Sequence, residues 1–317
     1  MRHLRIKPTE TDTIMHIYNR ISGSSGDFPF GKSEKEQFLR RLRKLNQYYV
    51  IDLLASQVMG NHYHILVHIP AEKPSNEEAA ARYLRFYDGK RKINPDSPEC
   101  DLLAAKLRDV SEFVRELQQP FTRWFNRTRT VRRHGSLWGG RFKNTILENG
   151  LAVWDCWKYI EMNPVRAGMV ADPADYRFCS FGQWSATGRN PYEQAIKKHI
   201  MPVFSGLLQI NSLQELKIEL QKEFANITAI ESGKSPKKIE TAIAKAAEKE
   251  PFTRRTDRRV RYWVDGLVIG SDIFVMNTVT KARGSMALAK RKLTHATDSP
   301  DTLPMLCSFK QLRKLVI

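Results

Sequence analysis

Cysteine, long apolar runs and acidic side chains are what this sequence has least of, and each shortage excludes something. Only four cysteines occur in 317 residues, Cys100, Cys156, Cys179 and Cys307, and no two form a C-x-x-C pair. That scatter excludes a zinc knuckle or a disulfide frame and predicts reduced thiols in a cytoplasmic protein. No apolar run approaches the roughly 20 residues that span a bilayer, so no membrane partner is expected. The opening MRHLRIKPTE lacks the apolar core of a secretory signal. Internal repeats and long low-complexity tracts are absent too. Acidic residues are in deficit, 34 against 52 Lys and Arg, which leaves a formal net charge of +18. The imbalance points to a polyanionic partner, nucleic acid first, without separating DNA from RNA.

What remains is the composition of a globular protein, 41% hydrophobic and 27% charged, long enough for one large domain or two ordinary ones. TIMHIYN at 13–19 predicts a first strand. Ser33, with Glu36 three residues on, reads as a capping box opening a basic amphipathic helix, with Phe38, Leu42 and Leu45 on one stripe. Residues 49–58 are β-branched and aliphatic and predict a second strand. Gly60-Asn61 is a turn signal, and 62–69 alternates as the next strand of an antiparallel pair. Residues 71–110 read as a helical insertion. Residues 111–127 read as an aromatic and basic helix that Pro120 should kink or interrupt. A strand is expected at 143–148, and a helix at 151–162 that ends near Asn163-Pro164. Composition shifts near 190–210, which predicts a domain over 1–190 and a mostly helical, basic C-terminal extension over 191–317. Within that extension, DGLVIG is expected to turn into a helix near Ser271.

Two short segments carry chemistry. On a strand, His62, His64, Leu66 and His68 share one face, while Tyr63, Ile65, Val67 and Ile69 share the core face. The Cα atoms of His62 and His64 are then about 6–7 Å apart, close enough for both imidazoles to meet one ion. His68 falls about 13 Å beyond His64 and is expected to bond locally instead. On a helix, Tyr159 and Asn163 lie one turn apart on one face. A helix crossing the histidine face would let the Asn163 amide oxygen complete a three-ligand site. Open, oxygen-rich coordination suits Mg²⁺ or Mn²⁺, and two imidazoles alone also suit zinc. An ion there would act on a phosphodiester as a Lewis acid. Tyr159 would attack phosphorus in line, giving a 5′-phosphotyrosine and a free 3′-OH.

The surrounding motifs resemble a known family. GNHYHILV resembles the signature of single-tyrosine HUH transposases, two histidines around one residue. GSLWGGRFKNTILE, YIEMNPVRAGMV and DYRFCSF resemble the REP-associated tyrosine transposases, and MHIYNR is similar to that family's first strand. The resemblance covers roughly residues 10–185. It implies an α+β fold, a ferredoxin-like antiparallel sheet flanked by helices. It also implies a Mg²⁺- or Mn²⁺-dependent single-stranded DNA endonuclease and strand transferase. By matching position it makes His62 and His64 metal ligands, Tyr159 the nucleophile and Asn163 the third ligand. The partners implied are hairpins of palindromic repeats and the single strand beside them. Tyr63 is bulkier than the usual middle residue, and 71–110 is longer than the connection in compact members.

Between these motifs lies a basic aromatic stretch. Arg123, Arg127, Arg129, Arg132, Arg133, Arg141 and Lys143 are candidates to follow a phosphate backbone, and Trp124, Trp138 and Phe142 to stack on unpaired bases. The rival reading is a non-catalytic protein that keeps the fold to bind hairpin DNA as a regulator. A replication initiator or relaxase is a more distant rival, against which the YIxxNPVRAG context argues. Monomer and homodimer both remain open.

Overall fold

TIMHIYNR alternates between two faces, and it forms β1 (Thr13–Arg20) of an antiparallel sheet. The computed structural model describes residues 11–23, 28–130, 134–231, 263, 266–283, 294–295 and 307–310. The chain divides into two compact units, residues 1–143 and 144–317. The fold is mixed α/β, with helices flanking the sheet strands.

In the first unit β2 (Asp52–Val58) and β3 (His62–Ile69) form the expected hairpin around Gly60-Asn61. The turn is closed by Met59 N–H donating to the His62 carbonyl at 2.8 Å. β3 also pairs along its whole length with β1, from Thr13 opposite Ile69 to Arg20 opposite His62. The face carrying Tyr63, Ile65 and Val67 is the core face, as the alternation requires. α1 (Lys32–Tyr48) and α4 (Val110–Arg127) bury their apolar stripes there, and Phe38, Leu42, Leu45, Phe113, Leu117 and Phe121 are all buried. Tyr63 fits this core because its ring packs 4.8 Å from Phe38 and its hydroxyl accepts from Gln118 Nε2 at 2.7 Å. α2 (Asn76–Phe86) and α3 (Pro98–Leu107) make up the insertion, capped by Ser75 and Ser97.

Two expectations about this unit are corrected. The first helix starts at Lys32, and its cap is Gly31, whose N–H donates to Glu34 Oε2 at 2.9 Å. Ser33 and Glu36 are therefore inside the helix. Pro120 does not interrupt α4. Proline leaves the carbonyl four residues back without its helical donor. That carbonyl, Glu116 O, instead accepts from Arg41 Nε of α1 at 3.0 Å.

In the second unit β4 (Lys143–Leu147) pairs in parallel with β5 (Gly266–Gly270), which pairs antiparallel with β7 (Cys307–Lys310), itself paired with β6 (Thr294–His295). The C-terminal residues thus supply strands as well as the expected helix. α5 (Leu151–Arg166) begins at Gly150, whose φ of 111° a side chain would strain. Its buried Glu161 accepts from Ser180 Oγ and from Phe181 N–H at 3.2 Å, at the start of α6 (Ser180–Thr187). α7 (Glu193–His199), α8 (Met201–Leu208) and α9 (Leu213–Glu231) follow, and α9 packs on α5 through the Lys158–Glu223 ion pair at 2.9 Å. α10 (Asp272–Arg283) starts after Ser271, which Glu148 holds through both its N–H, at 2.6 Å, and its hydroxyl, at 2.9 Å. The helix and loop expected at 239–249 and 231–238, and most of the basic stretch 252–263, lie outside the described residues.

Candidate active site

Residues directly opposite in an antiparallel pair share a face. The histidine face of the first unit therefore carries His62 and His64 of β3, with Arg20 and Tyr18 of β1 opposite them and Gln57 of β2 on the other side of His64. His16 of β1 sits on the same face, two residues from Tyr18. The His62 and His64 rings are 5.2 Å apart and nearly perpendicular. Tyr18 tilts against both, at 5.7 and 4.9 Å. His16 stacks on His64 at 5.1 Å with an angle of 11° between the planes.

Hydrogen bonds decide which nitrogens these rings can offer. His62 Nδ1 is 2.7 Å from Asn61 Oδ1, an acceptor, so Nδ1 carries the proton and Nε2 keeps its lone pair. His64 Nδ1 is 2.9 Å from His16 Nε2. If His64 donates in that bond, its own Nε2 is also a free donor of electrons, the arrangement that orients metal-binding imidazoles. Both rings are held neutral. Burial, then the Arg20 charge, brings His62 down to about 4. Burial, then His16 and His62, holds His64 well below the ordinary histidine value.

Gln57 is the odd member. It is 0% exposed, and neither its amide nitrogen nor its amide oxygen has a hydrogen-bond partner among the described residues. A buried carboxamide left in that state costs a few kcal/mol. His68 behaves as its distance from His64 predicts, with Nε2 3.1 Å from Asp12 Oδ2.

Tyr159 and Asn163 belong to the second unit, one turn apart on α5. Tyr159 is 1% exposed and stacks on Trp263 at 6.1 Å, with the Arg166 guanidinium 5.8 Å over its ring. The helix does not end at Asn163-Pro164 as expected but continues to Arg166. Pro164 deprives the Ile160 carbonyl of its donor, and Asn163 Nδ2 supplies one at 3.3 Å while also donating to Tyr159 O at 2.9 Å. With its nitrogen committed to the helix, Asn163 has Oδ1 to offer elsewhere.

Of the basic candidates, Arg123, Arg127, Arg141 and Lys143 are exposed, and Arg132 and Arg133 lie outside the described residues. Arg129 is an ion-pair partner of Glu34 and covers Phe125. Trp138 is corrected as a free stacking platform. It is 8% exposed and packs with Phe30, Phe38, Tyr63 and Phe121. The residues that sequence reasoning passed over are His16, Tyr18 and Gln57. The alternation of MHIYNR puts the first two on one face, and Gln57 is a lone amide in an otherwise small and aliphatic stretch.

No protein-family model matches the chain, and no curated protein does. Among solved structures, that of a REP-associated tyrosine transposase bound to a REP hairpin is similar, with 16% sequence identity, 61% of this chain and 90% of that chain covered, and a TM-score of 0.41.

Proposed function

We propose that this protein is a metal-dependent single-stranded DNA endonuclease and strand transferase that works through a 5′-phosphotyrosine on hairpin-forming palindromic repeats. The observation that carries the reading is the perpendicular, neutral histidine pair with outward hydrogen bonds from the Nδ1 atoms. The donor set fits a divalent cation: two imidazole Nε2 atoms from His62 and His64, and an amide oxygen from Asn163. The orphaned amide of Gln57 beside His64 fits it too, since a buried polar group without a partner marks an absent water or ion. Mg²⁺ or Mn²⁺ bound there would supply Lewis-acid polarisation of a phosphodiester.

The chain's own residues do the rest. Tyr159 Oη forms a bond to phosphorus as the bond from phosphorus to the 3′ oxygen breaks. The phenolic proton leaves to solvent, and the departing 3′ oxygen takes one up as a 3′-OH. Arg166, over the Tyr159 ring, places positive charge beside the developing phenolate. Attack by a 3′-OH on the phosphotyrosine reverses the exchange and joins strands. Arg123, Arg127, Arg141 and Lys143 hold the phosphate backbone, with affinity that falls as salt rises.

One observation favours a second reading. Tyr159 is almost wholly covered, as a side chain retained for packing would be, which suits a non-catalytic hairpin-binding regulator. The two separate cleanly. Labelled oligonucleotides from the repeats flanking the gene are incubated with Mn²⁺, Mg²⁺ or EDTA. A denaturation-resistant protein–DNA adduct that needs metal and disappears in Tyr159→Phe is expected. Hairpin binding with no adduct in any metal establishes the regulator instead.

A further inference from the structure

The histidine face is one side of the β1–β3 pair. The other side carries a groove of about 680 Å³ between α4 and the segment 136–142, within the size range of small-ligand clefts. Its apolar walls are Val114, Trp138 and Phe142. Arg123 and Arg141 stand at its mouth with the Gln119 amide. Among the described residues neither arginine is paired with a carboxylate. A third guanidinium, Arg41, is close enough to Arg123 that burial and then the like charge of Arg123 lower its pKa. Cations held near one another without matching acids await an anion.

The segment that forms one wall is tied to the strand that bears the candidate site. Gly139 N–H donates to the Arg20 carbonyl at 2.9 Å, and Asn19 Nδ2 donates to the Gly140 carbonyl at 3.2 Å. Ile21 bridges to Trp138. A Cβ on Gly139 would stand 3.3 Å from the Ile21 carbonyl, so this approach is close. Arg20 is the residue opposite His62. The groove and the histidine pair are thus reached from the same end of β1, on opposite faces.

We infer that this groove seats one unpaired nucleotide of the single-stranded DNA, its base on the apolar walls under an arginine and its phosphate on Arg123 and Arg141. The inference rests on the DNA reading above and gives it a place where a base, and not only backbone, is held. Arginine planes stack on bases and also bind phosphate, and a glutamine amide can pair with a base edge. That combination matches a nucleotide better than a purely anionic ligand, which has no use for the apolar walls.

The test uses the full chain carrying Tyr159→Phe, so that DNA stays uncut, and hairpin oligonucleotides with a single-stranded tail. Each tail position is made abasic in turn. One position is expected to weaken binding about tenfold, in the range for a lost stacked base. Gln119→Trp, at an exposed groove position, fills the cleft. It should weaken the intact tail about tenfold and abolish the penalty at that position, with melting temperature and binding of the tail-less hairpin unchanged. A flat abasic scan, or a penalty that survives Gln119→Trp, overturns the groove assignment and leaves the DNA reading standing. Competition by micromolar free deoxynucleoside monophosphates overturns the assignment to a DNA strand. Absence of DNA binding by the parent protein defeats the DNA reading and this inference together.

Discussion

Replacing Gln57 by leucine should make the metal-free protein more stable and the metal-bound protein relatively less so. Gln57 is fully buried on the histidine face, directly across from His64, with both polar atoms lacking partners. Each unsatisfied buried group costs about 1–3 kcal/mol, and leucine of similar volume removes both penalties. Gln57→Leu should therefore gain about 1–3 kcal/mol in EDTA, measured by urea denaturation. In saturating Mn²⁺ the wild type gains stability as the logarithm of metal concentration over its dissociation constant. If the Gln57 amide, directly or through a water, faces the ion, the variant gains about 1–2 kcal/mol less from the same Mn²⁺, on the scale of one hydrogen bond to a charged group. The comparison is internal, because each protein is measured with and without metal. A variant that is less stable than wild type in EDTA would show that the amide has partners after all. An unchanged increment with Mn²⁺ would remove Gln57 from the ion's surroundings.

Two further outcomes follow from the same face. His16→Phe keeps a ring stacked on His64 but deletes the nitrogen 2.9 Å from its Nδ1; Mn²⁺ affinity should drop about 10–100-fold, as when an outer partner of a ligand is lost, and titration calorimetry giving equal affinities would refute the tautomer argument. Stability should fall with acidification, because His62 has a folded value of about 4, below the ordinary 6.5 that it regains on unfolding. The contribution is complete above about pH 6.5 and is lost progressively down to about pH 4, up to roughly 3 kcal/mol from this residue. Denaturation in EDTA across that window should show the slope, reduced in His62→Gln; an identical slope in the variant would place the titration elsewhere.

Much of the architecture around the histidines follows from local pattern. Period-two alternation in 13–20 and 62–69, with Gly60-Asn61 between apolar strands, determines the hairpin, its register and the face on which His62 and His64 lie. The spacing of Phe38, Leu42 and Leu45 likewise determines the buried stripe of α1. These signals are legible because each is carried by residues a few positions apart.

Other features needed partners from distant parts of the chain. Pro120 and Pro164 read as helix breakers, yet both helices continue. Arg41 reaches across from α1 to the carbonyl that Pro120 leaves bare, and the Asn163 side chain folds back on the carbonyl that Pro164 leaves bare. Trp138 looks like a free aromatic in a basic stretch until Phe30, Phe38 and Tyr63 close over it. The sequence by itself determined the alternation and helical stripes, and with them which side chains share a face. Only the tertiary structure decided which nitrogen of each histidine is free, which buried amide has no partner and which prolines are tolerated. Those outcomes depend on hydrogen bonds between residues tens of positions apart, and no local periodicity encodes them.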